Sequence, residues 1–153
     1  MDRSRSFPPP ACRAIVFDLD GTLADTASDI TAALNLTLSE LDLPPHSEDI
    51  VRGMVGNGLA KLLDRALARH DSILEEEKQD AALERLFSHY AANPCERSTL
   101  YPGVQETLSA LHNAGLACGV FTNKHEAIGF DVLEGLGIAA LVRTLCGAND
   151  RFI

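Results

Sequence analysis

Nowhere in the 153 residues does an apolar run approach the ~20 residues that a membrane-spanning helix needs, so a helical anchor is not expected. Positive charge is scarce. Thirteen Lys and Arg against 22 Asp and Glu leave a formal charge of −9, which argues against nucleic acid or an anionic membrane surface as the main partner. The four cysteines (Cys12, Cys95, Cys118 and Cys146) lack C-x-x-C spacing. Cys118 and Cys146 sit in apolar runs, where a thiol acts as a small hydrophobe, so reduced structural cysteines are expected. No apolar stretch follows Arg5, so Met1–Pro10 does not read as a secretory signal. These absences lead us to expect a cytoplasmic protein. A chain this acidic needs a local cation or a metal to handle phosphate, not a basic surface patch. What is present, 46% hydrophobic and 23% charged residues, is ordinary for a folded globular chain.

Residues 1–12 read as a flexible tail, polar and then interrupted by Pro8-Pro9-Pro10. Ala14-Ile15-Val16-Phe17 follows, with no polar alternation, the pattern of a strand buried on both faces as in a parallel sheet. Gly21 marks the turn at its carboxyl end. From Ser28 the period becomes helical: Ile30, Ala33, Leu34, Thr37, Leu38 and Leu41 share one stripe, stopped by Pro44-Pro45. A short helix from Ser47 to Met54, a turn at Gly56-Asn57-Gly58 and a helix carrying Leu59, Leu62, Leu63, Ala66 and Leu67 are expected next. Ser72 and Glu75 form a capping-box pattern before a long helix to about Ala92, with Leu83, Leu86, Phe87 and Tyr90 inward. Residues 28–92 therefore carry no strand signal.

After Tyr101-Pro102-Gly103, a helix bearing Val104, Leu108 and Leu111 ends at Gly115. Leu116 to Phe121 reads as a second strand closing on Thr122-Asn123-Lys124. A helix with Ile128, Val132, Leu133 and Leu136 ends at Gly137, and Leu141 to Cys146 is the third strand candidate. Gly147-Ala148-Asn149-Asp150 begins a loop. The expected fold class is α/β, an open Rossmann-like parallel sheet interrupted by an inserted helical cap. The divisions are 1–12 tail, 13–24 and 99–153 core, and 25–98 cap.

Asp18 and Asp20 stand at i and i+2 directly after the first strand, where ligands of such sheets bind. Close carboxylates repel, and a divalent cation such as Mg²⁺ offsets that cost with hard oxygen ligands. Gly21 lets the backbone turn so that amides can face an anion, and Thr22 adds a hydroxyl. One carboxylate can attack phosphorus while the other moves a proton to the leaving oxygen and later activates water. A solvated acidic turn with a helix cap is the competing reading of a bare D-x-D.

The longer run Phe17-Asp18-Leu19-Asp20-Gly21-Thr22-Leu23-Ala24-Asp25-Thr26 resembles the first signature of the haloacid dehalogenase superfamily, largely phosphatases. The resemblance implies Asp18 as nucleophile, Asp20 as general acid and base, and magnesium held by the Asp18 side chain and the Asp20 carbonyl. Phe121-Thr122-Asn123-Lys124 looks like the second signature. It implies that Thr122 and the Asn123 backbone N–H hold the transferring phosphoryl. Arg52-Gly53-Met54-Val55-Gly56-Asn57-Gly58-Leu59 and its continuation to Leu67 are similar to the cap of phosphoglycolate phosphatases, as are Asp25-Thr26 and Tyr101-Pro102-Gly103-Val104. The implied partner is a small phosphorylated metabolite, best 2-phosphoglycolate. Arg52 or Lys61 could meet its carboxylate, although a solvated helix face is the preferred reading for both.

Two family signatures are not found: a phosphate-neutralising Lys after the third strand and an acidic pair completing the magnesium shell. Lys61, Lys78 and Lys124 are the only lysines, and Lys124 reads as a helix-start or surface residue. Without the strand that bears the acidic pair, Ile15 to Asp18 would form an unpaired apolar edge. The chain is therefore expected to be a fragment, a prematurely ended reading frame or a remnant. Three readings stay open: a phosphatase, a non-catalytic remnant or subunit, and a sister phosphatase acting on another small sugar phosphate.

Overall fold

The computed structural model describes residues 12–148. The expected tail lies almost wholly outside the described residues, as do Asn149 and Asp150 of the expected loop. β1 (Ala14–Phe17), β4 (Ala117–His125) and β5 (Thr144–Ala148) form one parallel sheet in the order β1-β4-β5. Its register pairs Ile15 with Cys118, Phe17 with Val120, and Val120 with Leu145. Between β4 and β5 runs α6 (Glu126–Gly135), and α5 (Val104–Asn113) precedes β4.

Both parallel crossovers step the same way across the sheet, and their shared right hand puts α5 and α6 on one face. Cys118, Val120 and Leu145 are buried under these helices, with Phe17 packed beside them. The opposite face is bare among the described residues. Val16 is 66% and Phe121 64% exposed, and Cys146 is exposed beside Phe121. This corrects two expectations: β1 is covered on one face only, and Cys146 is not a buried core thiol. Among the described residues β1 pairs with β4 alone, the edge position expected for it.

The third strand also starts later than its apolar run. Ala139–Leu141 forms a single 3-10 turn, and β5 begins at Thr144 and takes in Gly147 and Ala148, residues expected in a loop. Gly147 has a physical reason to be glycine. A Cβ there would lie 2.5 Å from the Lys124 carbonyl oxygen and 2.8 Å from the Glu126 Cα, so β5 comes too close to the end of β4 for any side chain.

The helical segment begins with α1 (Ala27–Glu40), whose buried stripe of Ile30, Ala33, Leu34, Thr37 and Leu38 follows the sequence period. It ends at Glu40, before the two prolines, and the chain turns away at Asp42, which adopts a left-handed φ of +57°. α2 (Glu48–Arg52), α3 (Gly58–Ala68) and α4 (Glu76–Ala92) follow, with α4 laid along α1. The expected capping box fails: α4 starts at Glu76, and neither Ser72 nor Glu75 donates or accepts a side-chain cap bond. Leu67 accepts instead from Ser72 N–H, as the backbone closes α3 with Asp71 at φ +50°.

No strand interrupts 28–92, but two short ones flank it. β2 (Ala24–Asp25) pairs antiparallel with β3 (Thr99–Leu100), so the chain leaves and returns at one place. Buried Asp29 fixes this junction. Its carboxylate accepts from Arg97 N–H at 3.0 and 3.1 Å, from Ser98 N–H at 2.8 Å and from the Ser98 hydroxyl at 2.6 Å. No helix among the described residues is long and apolar enough to cross a membrane.

Candidate active site

Beyond the carboxyl end of β1 a narrow cleft is lined by Asp18, Asp20, Thr122, Asn123, Lys124 and Tyr90 on its polar side. Ile30, Val55, Leu59, Leu62 and Ile128 make its apolar side, so α1, the α2–α3 turn and α3 close over the strand ends. Asp18 is exposed, and its Oδ1 accepts from Leu19 N–H at 2.8 Å, which orients the carboxylate. Asp20 Oδ1 accepts from the buried Thr26 hydroxyl at 2.6 Å and lies 3.1 Å from Lys124 Nζ.

The turn after Asp20 is closed by its own backbone. Gly21, at φ +78°, donates its N–H to Ala24 O, while the N–H groups of Thr22, Leu23 and Ala24 all converge on Leu19 O. Gly21 and Thr22 are exposed and lie outside the cleft lining. The amide of Gly21 is thus engaged within the loop and is not pointed at an anion.

β4 loses register with β5 between Phe121 and His125, and the three residues between them line the cleft. Thr122 is buried, and its Oγ1 accepts from Lys124 N–H at 3.2 Å. With that acceptor site used, the hydroxyl proton is free to donate to a phosphoryl oxygen. The Asn123 side chain reaches out of the core, and its Nδ2 donates to Gly56 O at 2.8 Å.

Lys124 overturns its expectation as a surface or helix-start residue. Its side chain is 3% exposed, donates to the Tyr90 hydroxyl and lies 4.3 Å from the centre of the Tyr90 ring. Burial holds this ammonium below the usual lysine range, partly countered by Asp20. Burial also pushes the Tyr90 hydroxyl well above its ordinary value, with Asp20 and Asp29 adding to the effect. The strand period could place Lys124 opposite its exposed neighbours, but only the insertion, arriving with Tyr90, buries it.

Arg52 and Lys61 are elsewhere. Arg52 pairs with Asp25 and Glu48, each at 2.7 Å, and Lys61 pairs with Asp64 at 3.1 Å. Neither lines the cleft. The Arg52 hydrogen bond holds Asp25 below the usual carboxylate range.

The profile of the haloacid dehalogenase-like hydrolases matches residues 15–152. The chain belongs to this family. It is 39% identical over 144 residues to a phosphoglycolate phosphatase of Agrobacterium fabrum, covering 94% of this chain and 62% of that protein. A phosphoglycolate phosphatase of Rhodospirillum rubrum is 40% identical over 141 residues, covering 90% and 58%. The crystal structure of a predicted phosphoglycolate phosphatase from Haemophilus somnus superposes with a TM-score of 0.84 at 32% identity, covering 93% of this chain and 65% of that one. The chain therefore spans about three fifths of the length of the curated relatives it matches.

Set in this hydrolase family, the cleft gathers four of the six residues singled out from sequence: Asp18, Asp20, Thr122 and Asn123. Sequence reasoning missed Tyr90, Thr26 and Asp29 as groups around the site, and it misplaced Lys124. A run of apolar residues on one helix face gave Tyr90 only as core. Gly147 left a readable trace, since glycine at the end of an apolar strand marks close backbone approach.

Proposed function

We propose that this member of the haloacid dehalogenase-like hydrolases acts on a small phosphomonoester, best 2-phosphoglycolate, through an aspartyl phosphate on Asp18. The observation that carries the reading is the shared cleft: an exposed, oriented Asp18 carboxylate beside Asp20, with a buried Thr122 hydroxyl and a buried Lys124 ammonium. Asp18 attacks phosphorus; the new Oδ–P bond forms as the bond to the ester oxygen breaks. Asp20 gives its proton to that leaving oxygen, because an alkoxide leaves poorly. Asp20 then takes a proton from water as the water oxygen bonds phosphorus, Asp18 is released and inorganic phosphate departs. The Thr122 hydroxyl donates to a phosphoryl oxygen throughout.

Magnesium fits the donor set in its sparse form. No group of three or more His, Cys, Asp or Glu gathers among the described residues. Mg²⁺ commonly takes one or two protein carboxylates and completes its shell with waters and substrate phosphate. The Asp18 carboxylate and the Asp20 carbonyl would hold it, the latter leaving the Asp20 side chain to Thr26 and Lys124. When bound, the ion neutralises phosphoryl charge and relieves repulsion between the attacking carboxylate and its target.

The test is trapping with beryllium fluoride and magnesium, read by fluorine NMR. A protein-bound fluoride signal that disappears in Asp18→Asn supports the reading; a signal that persists in that variant sinks it. The sheet face and the β1 edge, left uncovered by the described residues, favour a second reading, in which the chain binds phosphate but turns over only when another segment pairs with β1. Steady release of phosphate from 2-phosphoglycolate by the chain alone would rule that out.

A further inference from the structure

Consecutive residues at the end of β4 reach in different directions and both grip the helical insertion. Lys124 holds Tyr90 of α4 beneath the cleft, and Asn123 holds the Gly56 carbonyl of the α2–α3 turn at its rim. Lys124–Tyr90 is buried on both sides, whereas Asn123–Gly56 is exposed. A buried contact opens only with the surrounding core, so the exposed bond is the one that can break while the rest stays packed.

The turn is built to present that carbonyl. Gly56 has φ +118° and Gly58 φ +83°, both in the left-handed region, and open space surrounds the position a Gly56 Cβ would take. The requirement for glycine at 56 is therefore one of backbone conformation. Arg65 braces the turn from α3, donating to Met54 O at 2.6 Å and to Asn57 Oδ1 at 2.7 Å. The turn is thereby preformed, and its only side-chain bond to the sheet among the described residues is the one from Asn123.

We propose that Asn123 is a positioning residue whose side chain latches the Val55–Leu59 turn over Asp18. It sets the closed shape of the cleft, while its neighbour Thr122 faces the phosphoryl. The latch rests on the proposed reading for its purpose, and on geometry alone for its existence. When the bond is made, Val55, Gly56, Gly58 and Leu59 wall the same cleft that Asp18 and Asp20 line. That wall admits a short substrate and excludes bulk water; when the bond breaks, the turn can lift on α2 and α3 without unpacking α1 against α4.

Hydrogen exchange of the full chain, read by mass spectrometry on peptides covering 52–62, tests the latch. Asn123→Asp keeps the shape but replaces the donor with a carboxylate facing a carbonyl. Exchange in 52–62 should quicken by about 2- to 10-fold, the ratio expected for one ordinary hydrogen bond, with peptides of α1 and α4 unchanged. Asn123→Gln, which keeps a carboxamide donor, should recover part of the protection. No change in 52–62, or equal quickening throughout α1 and α4, overturns the latch. Asp18→Asn should leave exchange in 52–62 at the wild-type rate while abolishing fluoride trapping, so failure of the latch and failure of the chemistry are read separately.

Discussion

Removing Asp29 tests whether the junction between helical insertion and sheet is held by one buried carboxylate. Asp29 is 4% exposed and receives three donors, the N–H groups of Arg97 and Ser98 and the Ser98 hydroxyl. A hydrogen bond to a charged group contributes about 1.5–3 kcal/mol, but three donors sharing one carboxylate do not add independently. Asp29→Ala also strands two backbone N–H groups with no replacement acceptor. The expected loss is about 2–6 kcal/mol, from two stranded backbone donors at about 1–3 kcal/mol each. In a domain of this size that lowers Tm by on the order of 10 °C. Asp29→Asn keeps one acceptor oxygen but turns an amide toward donors, so about half that loss is expected. Urea unfolding at pH 7, followed by far-UV circular dichroism, measures both. If Asp29→Ala stays within about 1 kcal/mol of wild type, below the cost of two unmet buried donors, packing and not the carboxylate holds the junction.

Two further perturbations follow from the same geometry. Gly147→Ala forces a Cβ against the Lys124 carbonyl and the Glu126 backbone, and should cost about 1–3 kcal/mol by overpacking; chemical shifts of Thr122–Glu126 should move with it, and unaltered shifts and stability would contradict the close approach. The Asp25–Arg52 pair is partly exposed and should contribute only about 0.2–1 kcal/mol. Because Asp25 is depressed by Arg52, that contribution is complete above its ordinary pKa of 3.8 and is lost as pH falls through the lower folded value. The stability gap between wild type and Asp25→Asn, measured in urea at pH 7 and again near pH 2 (about two units below the ordinary carboxylate value), should therefore close on acidification.

Much of the fold was legible because its signals are local. The stripe of α1, the apolar run of β1 and the glycines at 115 and 137, both at positive φ, each act within a few residues. Asp18 and Asp20 were legible for the same reason, as a short motif at a strand end. What escaped depends on contacts between distant segments. Lys124 looked like a surface residue because nothing near it announces Tyr90, 34 positions earlier. Ser72 and Glu75 satisfied a capping pattern, but the left-handed Asp71 and the closing turn of α3 moved the helix start to Glu76. The burial of β1 was overestimated because composition cannot tell which of its two faces the crossovers will cover. Cys146 failed similarly: it lies on the sheet face that α6 leaves open.

The meeting of β2 and β3 makes the insertion separable in principle. Because Ala24 sits opposite Leu100, residues 26–98 could be cut out and the two strands rejoined by a tight hairpin, with little entropy spent on closing the gap. Recombination could exchange such a module wholesale. Lys124 would register the swap: stripped of Tyr90 it would face water and recover much of its ordinary basicity. Any incoming replacement must therefore bring its own cover for that amine, as well as a wall for the substrate.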